Sequence, residues 1–275
     1  MENPIYLLVD NGSLQPDSVI SLHQIAIRLS NTCSTEIIPV SLLHSNKIPA
    51  SHLNGFKAQT IVGFLKSEKG QNAQSLVIIP FFIGPSRGIT NWLKDKLEEW
   101  KNNKVGRSFK ILECLYSMGD SRLAEALHVE TKKVIMEYRI NKPNVVLVDH
   151  GTPVAEVNEV REQVGIQFFK LLKGSCSECL TSSMERREGA EYDFNEPLIE
   201  NVLHEWGTLG ITEVVVSFLF LLPGRHAGKG GDLDRIFNSA RKEFPNMNIR
   251  ATKPIGSSEF ILKILCDRIE KFKKV

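Results

Sequence analysis

The feature that most constrains the fold is that the chain repeats itself. Leu8-Val9-Asp10-Asn11-Gly12-Ser13 returns 139 positions later as Leu147-Val148-Asp149-His150-Gly151-Thr152. Ile79-Pro80-Phe81-Phe82-Ile83-Gly84-Pro85-Ser86-Arg87 corresponds to Ser217-Phe218-Leu219-Phe220-Leu221-Leu222-Pro223-Gly224-Arg225, with Pro85 over Pro223 and Arg87 over Arg225 at an offset of 138. Ser117-Met118-Gly119-Asp120 sits over Pro254-Ile255-Gly256-Ser257 at 137. Three matches in one order at nearly constant spacing indicate two copies of one domain. They span residues 1–140 and 141–275, and the boundary falls near Asn141-Lys142-Pro143. A chain of 275 residues is long enough for two ordinary domains, each with its own core.

Within the second copy, apolar runs alternate with stretches of helical period. Val145–Val148 predicts a fully buried strand, Val154–Leu172 a helix, Leu180–Met184 a weaker strand, and Glu213–Leu222 the central strand. Asn195 is expected to cap a helix whose apolar face is Leu198, Ile199, Val202, Leu203 and Trp206. Leu233–Phe244, Ile249–Ala251 and Ser258–Phe272 complete the series as helix, strand and helix. Such alternation predicts the α/β class: two tandem three-layer αβα domains, each with a parallel sheet covered by helices on both faces. Ligands of these sheets bind beyond the carboxyl ends of the strands.

At that edge the second copy presents Asp149-His150-Gly151-Thr152 after its first strand and Pro223-Gly224-Arg225-His226 after its central one. Neighbouring strands thus each deliver a histidine, beside a glycine (Gly151, Gly224) that lets the backbone turn sharply and approach a ligand. Neutral imidazole accepts a proton near neutrality and ligates divalent transition metals. Met184-Glu185 brings a carboxylate to the same edge and Asp232 follows His226, suited to moving protons or guiding a cation. Arg186, Arg187 and Arg225 supply fixed positive charge for substrate carboxylates. The first copy has Asn11 in place of His150 and Gly88 in place of His226, so it lacks both bases. It is expected to form a wall of the cleft, with Ser86, Arg87 and nearby amides binding anionic groups.

These residues, Val148-Asp149-His150-Gly151-Thr152 and Phe220-Leu221-Leu222-Pro223-Gly224-Arg225-His226 followed by Asp232, resemble the sirohydrochlorin chelatase family of class II chelatases. The resemblance covers essentially the whole chain as two tandem repeats. It implies insertion of a divalent metal, Co2+ or Fe2+, into metal-free sirohydrochlorin or a related tetrapyrrole, in cobalamin or sirohaem biosynthesis. The metal is then a substrate, with no permanently bound cofactor. By the resemblance, His150 and His226 are the active histidines and metal ligands, and Glu185 is the acidic residue of the site. Gly224, Arg225, Arg186, Ser86 and Arg87 are expected to bind substrate. Two-repeat members are expected to carry the histidines in the first repeat, and here they stand in the second. The alternative from another class is a carrier that binds tetrapyrrole or metal without turnover. Retention of two facing bases with Glu185 favours the enzyme.

Composition narrows the remainder. Hydrophobic content of 42%, charged content of 24% and only short apolar runs are those of a soluble chain without a membrane segment. Met1-Glu2-Asn3-Pro4 leads directly into a strand without a basic leader, which predicts a cytoplasmic protein. Five cysteines, an odd number, argue against a disulfide framework. A net charge of +2 without a basic face argues against nucleic-acid binding. A tandem repeat supplies internally what single-repeat relatives would assemble by dimerising, which permits a monomer. Cys176 and Cys179 have the spacing of metal or redox pairs but no second pair follows, so they are read as loop and strand residues. Cys33, Cys114 and Cys266 are read as small core residues. His204 is assigned to a solvated helix face with Glu196 and Glu200, and His23, His44, His52 and His128 have no partner in the pattern. Gly228, Gly230 and Gly231 lack the spacing of a phosphate loop and suit a lip admitting a flat substrate.

Overall fold

The computed structural model describes residues 4–228 and 230–274. Met1-Glu2-Asn3, the start of the segment expected to lead into the first strand, lies outside them, as does Lys229 within the glycine-rich segment.

Two compact units form. One comprises the chain up to Met118 together with Ile261 onward, and the other comprises Gly119–Phe260. In the first, β1 (Ile5–Asp10), β2 (Ile37–Ser41), β3 (Ser75–Pro80) and β4 (Ser108–Ile111) make a sheet of order β2-β1-β3-β4. In the second, β5 (Asn144–Asp149), β6 (Cys179–Ser183), β7 (Glu213–Phe218) and β8 (Asn248–Ala251) repeat it as β6-β5-β7-β8. Every pairing is parallel. The reason is visible in the sequence: Leu7, Leu8 and Val9, like Val145 to Val148, are fully buried, as a strand covered by helices on both faces requires. β1 and β5 begin 139 positions apart, as do the 18-residue helices that follow them, α1 (Pro16–Cys33) and α6 (Ala155–Leu172).

The remaining helices are α2 (Ile61–Lys66), α3 (Glu68–Asn72), α4 (Lys94–Asn102), α5 (Arg122–Glu137), α7 (Ile199–Thr208), α8 (Asp232–Glu243) and α9 (Glu259–Lys273). The compact units and the sequence copies are drawn differently at two helices. α5, the last helix of the first copy, belongs to the second unit, where Thr131 Oγ1 donates to Ser217 Oγ of β7 at 3.1 Å. α9, the last helix of the second copy, belongs to the first unit, where Phe272 packs edge-on against Tyr6 of β1 at 6.3 Å.

Two local expectations are corrected. The central strand ends at Phe218, not Leu222, because its neighbours end first, β5 at Asp149 and β8 at Ala251. Leu219 still donates to the Val148 carbonyl, while Phe220 and Leu221 accept from Ile255 and Gly256, so the segment runs on outside the ladder. Asn195 does not cap a helix either. It ends a 3-10 turn, Ala190–Asn195, is fully buried, and spends its side chain on the loop after β5, while α7 begins at Ile199. Among the described residues no helix is long and apolar enough to cross a membrane.

Candidate active site at the carboxyl edge of the second sheet

β5 and β7 are parallel neighbours, so the segments leaving them rise from the same edge. After Asp149 the chain turns at Gly151, whose φ is +89°. A Cβ there would stand 1.8 Å from the Glu185 carbonyl oxygen, so only glycine lets the two loops touch. The contact continues the sheet beyond its last formal pair. Met184 N–H donates to the Asp149 carbonyl at 2.8 Å and Glu185 N–H to the His150 carbonyl at 3.2 Å. Glu185 is thereby brought beside His150. From the other side the chain leaving β7 reaches a turn at Arg225–Ala227, and Leu233 N–H donates to the His226 carbonyl at 3.2 Å, which docks that turn on the first residues of α8.

The two imidazoles meet. His150 Nε2 lies 3.0 Å from His226 Nε2, and the rings stand edge to face with centroids 4.3 Å apart. A carboxylate stands behind each. Asp232 Oδ2 is 2.6 Å from His226 Nδ1, and Glu185 Oε1 is 3.6 Å from His150 Nδ1, whose closer contact is the Gly151 carbonyl at 3.3 Å. An Nδ1–H held by Asp232 leaves His226 Nε2 as the acceptor of a single proton shared with His150. Desolvation, the largest single influence on the Asp232 carboxyl, raises it. The His226 hydrogen bond and the charges of Arg235 and Arg225 outweigh it, and the group is held below the usual carboxylate range. Arg235 bonds to Asp232 Oδ1 directly, and Arg225 Nε is 3.6 Å from Oδ2.

Beneath the pair lies a second layer. Asp149 is mostly covered, its side chain 14% exposed, and desolvation pushes its carboxyl up, against the opposing charge of Arg161 and hydrogen bonds from Ser183 and the Gly151 amide.

The structure therefore brings His150, His226 and Glu185 together and adds Asp232, whose sequence signal was only its place six residues after a histidine. It corrects the place of Glu185, which lies behind His150 and not where the two Nε2 atoms meet. Among the described residues no three His, Cys, Asp or Glu side chains close into a metal cage. Gly224 and Arg225 lie in the loop before His226, with the Arg225 side chain 75% exposed. Arg186 is not aimed outward: it is held by Asp193 at 2.7 Å and Glu196 at 2.8 Å. Arg187 lies over the Tyr192 ring. Ser86 and Arg87 follow β3 in the other unit, where Arg87 is exposed and precedes a π-helical turn, Gly88–Leu93.

His204 is exposed, as expected of a solvated helix face, and pairs with Glu243 of α8 at 3.0 Å. His23 has a partner after all: it stacks on Phe56 at 3.9 Å, and burial depresses it to about 4. Cys176 and Cys179 bring their sulfurs to 2.9 Å, but burial pushes the Cys179 thiol up, which disfavours the thiolate that metal binding or exchange requires.

Comparison with known proteins follows the same division of the chain. The CbiX family model matches residues 144–272. The chloroplastic sirohydrochlorin ferrochelatase of Arabidopsis thaliana is 27% identical over 163 residues, which are 59% of this chain and 67% of that protein. Among solved structures, SirB from Bacillus subtilis with Fe3+ superposes with a TM-score of 0.73 at 13% identity, covering 98% of this chain and 95% of that one. The sirohydrochlorin chelatase SirB of Bacillus subtilis subspecies spizizenii in complex with cobalt gives 0.67 at 14%, covering 99% and 96%. CbiX, the terminal enzyme for biosynthesis of siroheme in denitrifying bacteria, gives 0.61 at 9%, covering 98% and 99%. At these identities the structural likeness speaks for the fold.

Proposed function

We propose that the second unit, whose residues 144–272 match the CbiX family model, inserts a divalent cation, Co2+ or Fe2+, into sirohydrochlorin or a close metal-free relative, toward sirohaem or cobalamin. The observation that carries this reading is the 3.0 Å approach of His150 Nε2 and His226 Nε2, with a carboxylate behind each ring.

Insertion replaces two pyrrole N–H protons by one dication, so two protons leave for every metal that enters. Two nitrogens bound at about 2.1 Å to one cation, at a right angle, would themselves be about 3 Å apart. The observed pair has that separation. For both Nε2 atoms to bind the cation, His150 gives up the shared proton and carries its remaining one on Nδ1, toward the Gly151 carbonyl at 3.3 Å, the released proton passing to water. His150 and His226 then hold the incoming cation on one side, and the other side stays open to the macrocycle. An open two-nitrogen site gives the metal up, whereas four protein ligands would retain it.

As the metal moves to the pyrrole nitrogens, the freed imidazoles accept the two protons. Asp232 stays anionic and stabilises the imidazolium of His226. The exposed Glu185 takes the proton of His150 onward to water. Arg225, mostly exposed in the same loop, is suited to the peripheral carboxylates of the tetrapyrrole.

The test is turnover with sirohydrochlorin and Co2+ or Fe2+, followed by visible absorption. His150→Ala and His226→Ala should each lower the rate about 10²- to 10⁴-fold. Full activity in both variants, or stoichiometric binding without turnover in the native chain, would overturn the reading.

A further inference from the structure

The second unit carries, under its histidine loop, a buried cross-link that neither the metal-handling pair nor the bare fold requires. Arg161 lies within α6, and its side chain is 2% exposed. Its Nη1 donates to Ser183 Oγ and to the Asn195 carbonyl, its Nη2 to the Phe194 carbonyl, and it stands 3.7 Å from Asp149 Oδ1. Asn195 closes the frame from the other side. Its Oδ1 accepts from Thr152 N–H at 2.9 Å, and its Nδ2 donates to the Thr152 carbonyl at 3.0 Å and to Tyr192 O at 3.1 Å.

The points held are telling. Asp149 immediately precedes His150, Thr152 follows it by two residues, and Ser183 precedes Glu185 by two. One buried guanidinium and one buried amide thus fix the backbone on both sides of His150 and at the base of Glu185. The first unit folds the same sheet without them. Leu22 occupies the α1 position equivalent to Arg161. Matching the Ser41–Thr60 bridge to that of Ser183–Leu198 puts Lys57 in the place of Asn195.

We propose that Arg161 and Asn195 are positioning residues, which hold the 149–152 loop so that His150 Nε2 meets His226 Nε2. The role assigned to the pair rests on the proposed chelatase function, but the placement of His150 can be tested without it. Supporting residues of this kind matter because a site tolerates only small displacements of its reacting groups.

The decisive variant is Asn195→Ala in the full chain, which keeps the carbonyl that Arg161 uses and removes the clamp on Thr152 together with the bond to the Tyr192 carbonyl. Long-range 1H–15N NMR of the imidazoles should show His150 shifting toward the signature of an unpaired, solvated ring, while His226 keeps its Nδ1 proton on Asp232. The insertion kcat/KM for the cation should fall about 10- to 100-fold, with KM for the cation raised because His150 is one of its two ligands. Arg161→Lys, which retains the charge but not the fork of donors, should fall between this variant and the native chain. If Asn195→Ala does not fold, Asn195→Asp, which keeps the acceptor for Thr152 N–H, carries the same measurements. Unchanged His150 resonances in a folded variant would overturn the proposal. If the native chain shows no turnover, the chelatase reading fails while the NMR comparison still decides this one.

Discussion

The two units build the same edge and fill it differently. In both, the first strand ends in an aspartate followed two residues later by a glycine at φ +89°, and in both a Cβ on that glycine would meet the carbonyl oxygen of the facing loop at 1.8 Å. In both, the facing loop donates back at 3.2 Å, Leu43 to Asn11 and Glu185 to His150. What differs is the cargo. Asn11, Leu43 and Gly88 stand where the second unit has His150, Glu185 and His226, and Leu22 stands where it has Arg161. The shared glycine therefore belongs to the architecture, and the histidines, carboxylates and buried arginine are what the second unit adds to it.

The aspartates expose the difference most sharply, because one substitution should gain stability in the first unit and not in the second. Asp149→Asn removes the charge that stands 3.7 Å from the buried Arg161 guanidinium, which Glu162 at 2.8 Å still pairs. What is gained by replacing a carboxyl that burial pushes up is therefore offset by the lost charge. Thermal unfolding should show the second unit little changed. Among the described residues no cation acts on Asp10. It is 6% exposed, its Oδ1 lacks a hydrogen bond, and burial pushes its carboxyl to about 6 despite Ser41 and the Gly12 amide. With a folded value near 6 against an ordinary 3.8, the native state holds this proton more tightly than the unfolded chain. The stability it lends is present below about 4 and is lost as pH rises through about 6. At pH 7 the ionised group costs up to about 3 kcal/mol. Asp10→Asn should therefore stabilise the first unit at neutral pH by at most that amount and flatten its stability between pH 4 and 6. Denaturant unfolding across that range is the measurement. An equal gain in stability from both substitutions would erase the distinction.

A smaller effect separates architecture from chemistry. Gly12→Ala and Gly151→Ala force the same backbone strain, about 1–3 kcal/mol each, and the same clash. Calorimetry should find the two variants similarly destabilised. Only Gly151→Ala, which pushes Glu185 away from His150, should slow metal insertion beyond what loss of folded protein explains.

Much of this was legible in the sequence. The duplication and the fully apolar β5 and β7 specified two parallel sheets, since period and burial are local properties of a sequence. The convergence of His150 and His226 followed from strand adjacency alone, which the parallel pairing of β5 with β7 bears out. The rest depended on where side chains go after the strands end. The exchange of α5 and α9 between the units leaves no trace in helical period, since a helix shows the same apolar stripe whichever sheet it covers. Asn195 has the residue type of a cap and serves as a clamp, because its partner Thr152 lies 43 positions away. Glu185 is placed behind His150 by a loop contact that Gly151 permits, and no strand pattern encodes it. Arg161 sits on an apolar helix face, where periodicity alone marks it as an interruption and tertiary contacts make it a support.

The central claim is that the second unit alone carries the chemistry. It is tested most directly by giving that unit the residues of the first: a chain with both His150→Asn and His226→Gly, assayed beside the native chain with sirohydrochlorin and Co2+ or Fe2+. Many metal insertions per native chain, with a loss of at least about 10²-fold in the doubly substituted chain at unchanged fold, is the expected result. An undiminished rate in the doubly substituted chain would contradict the claim.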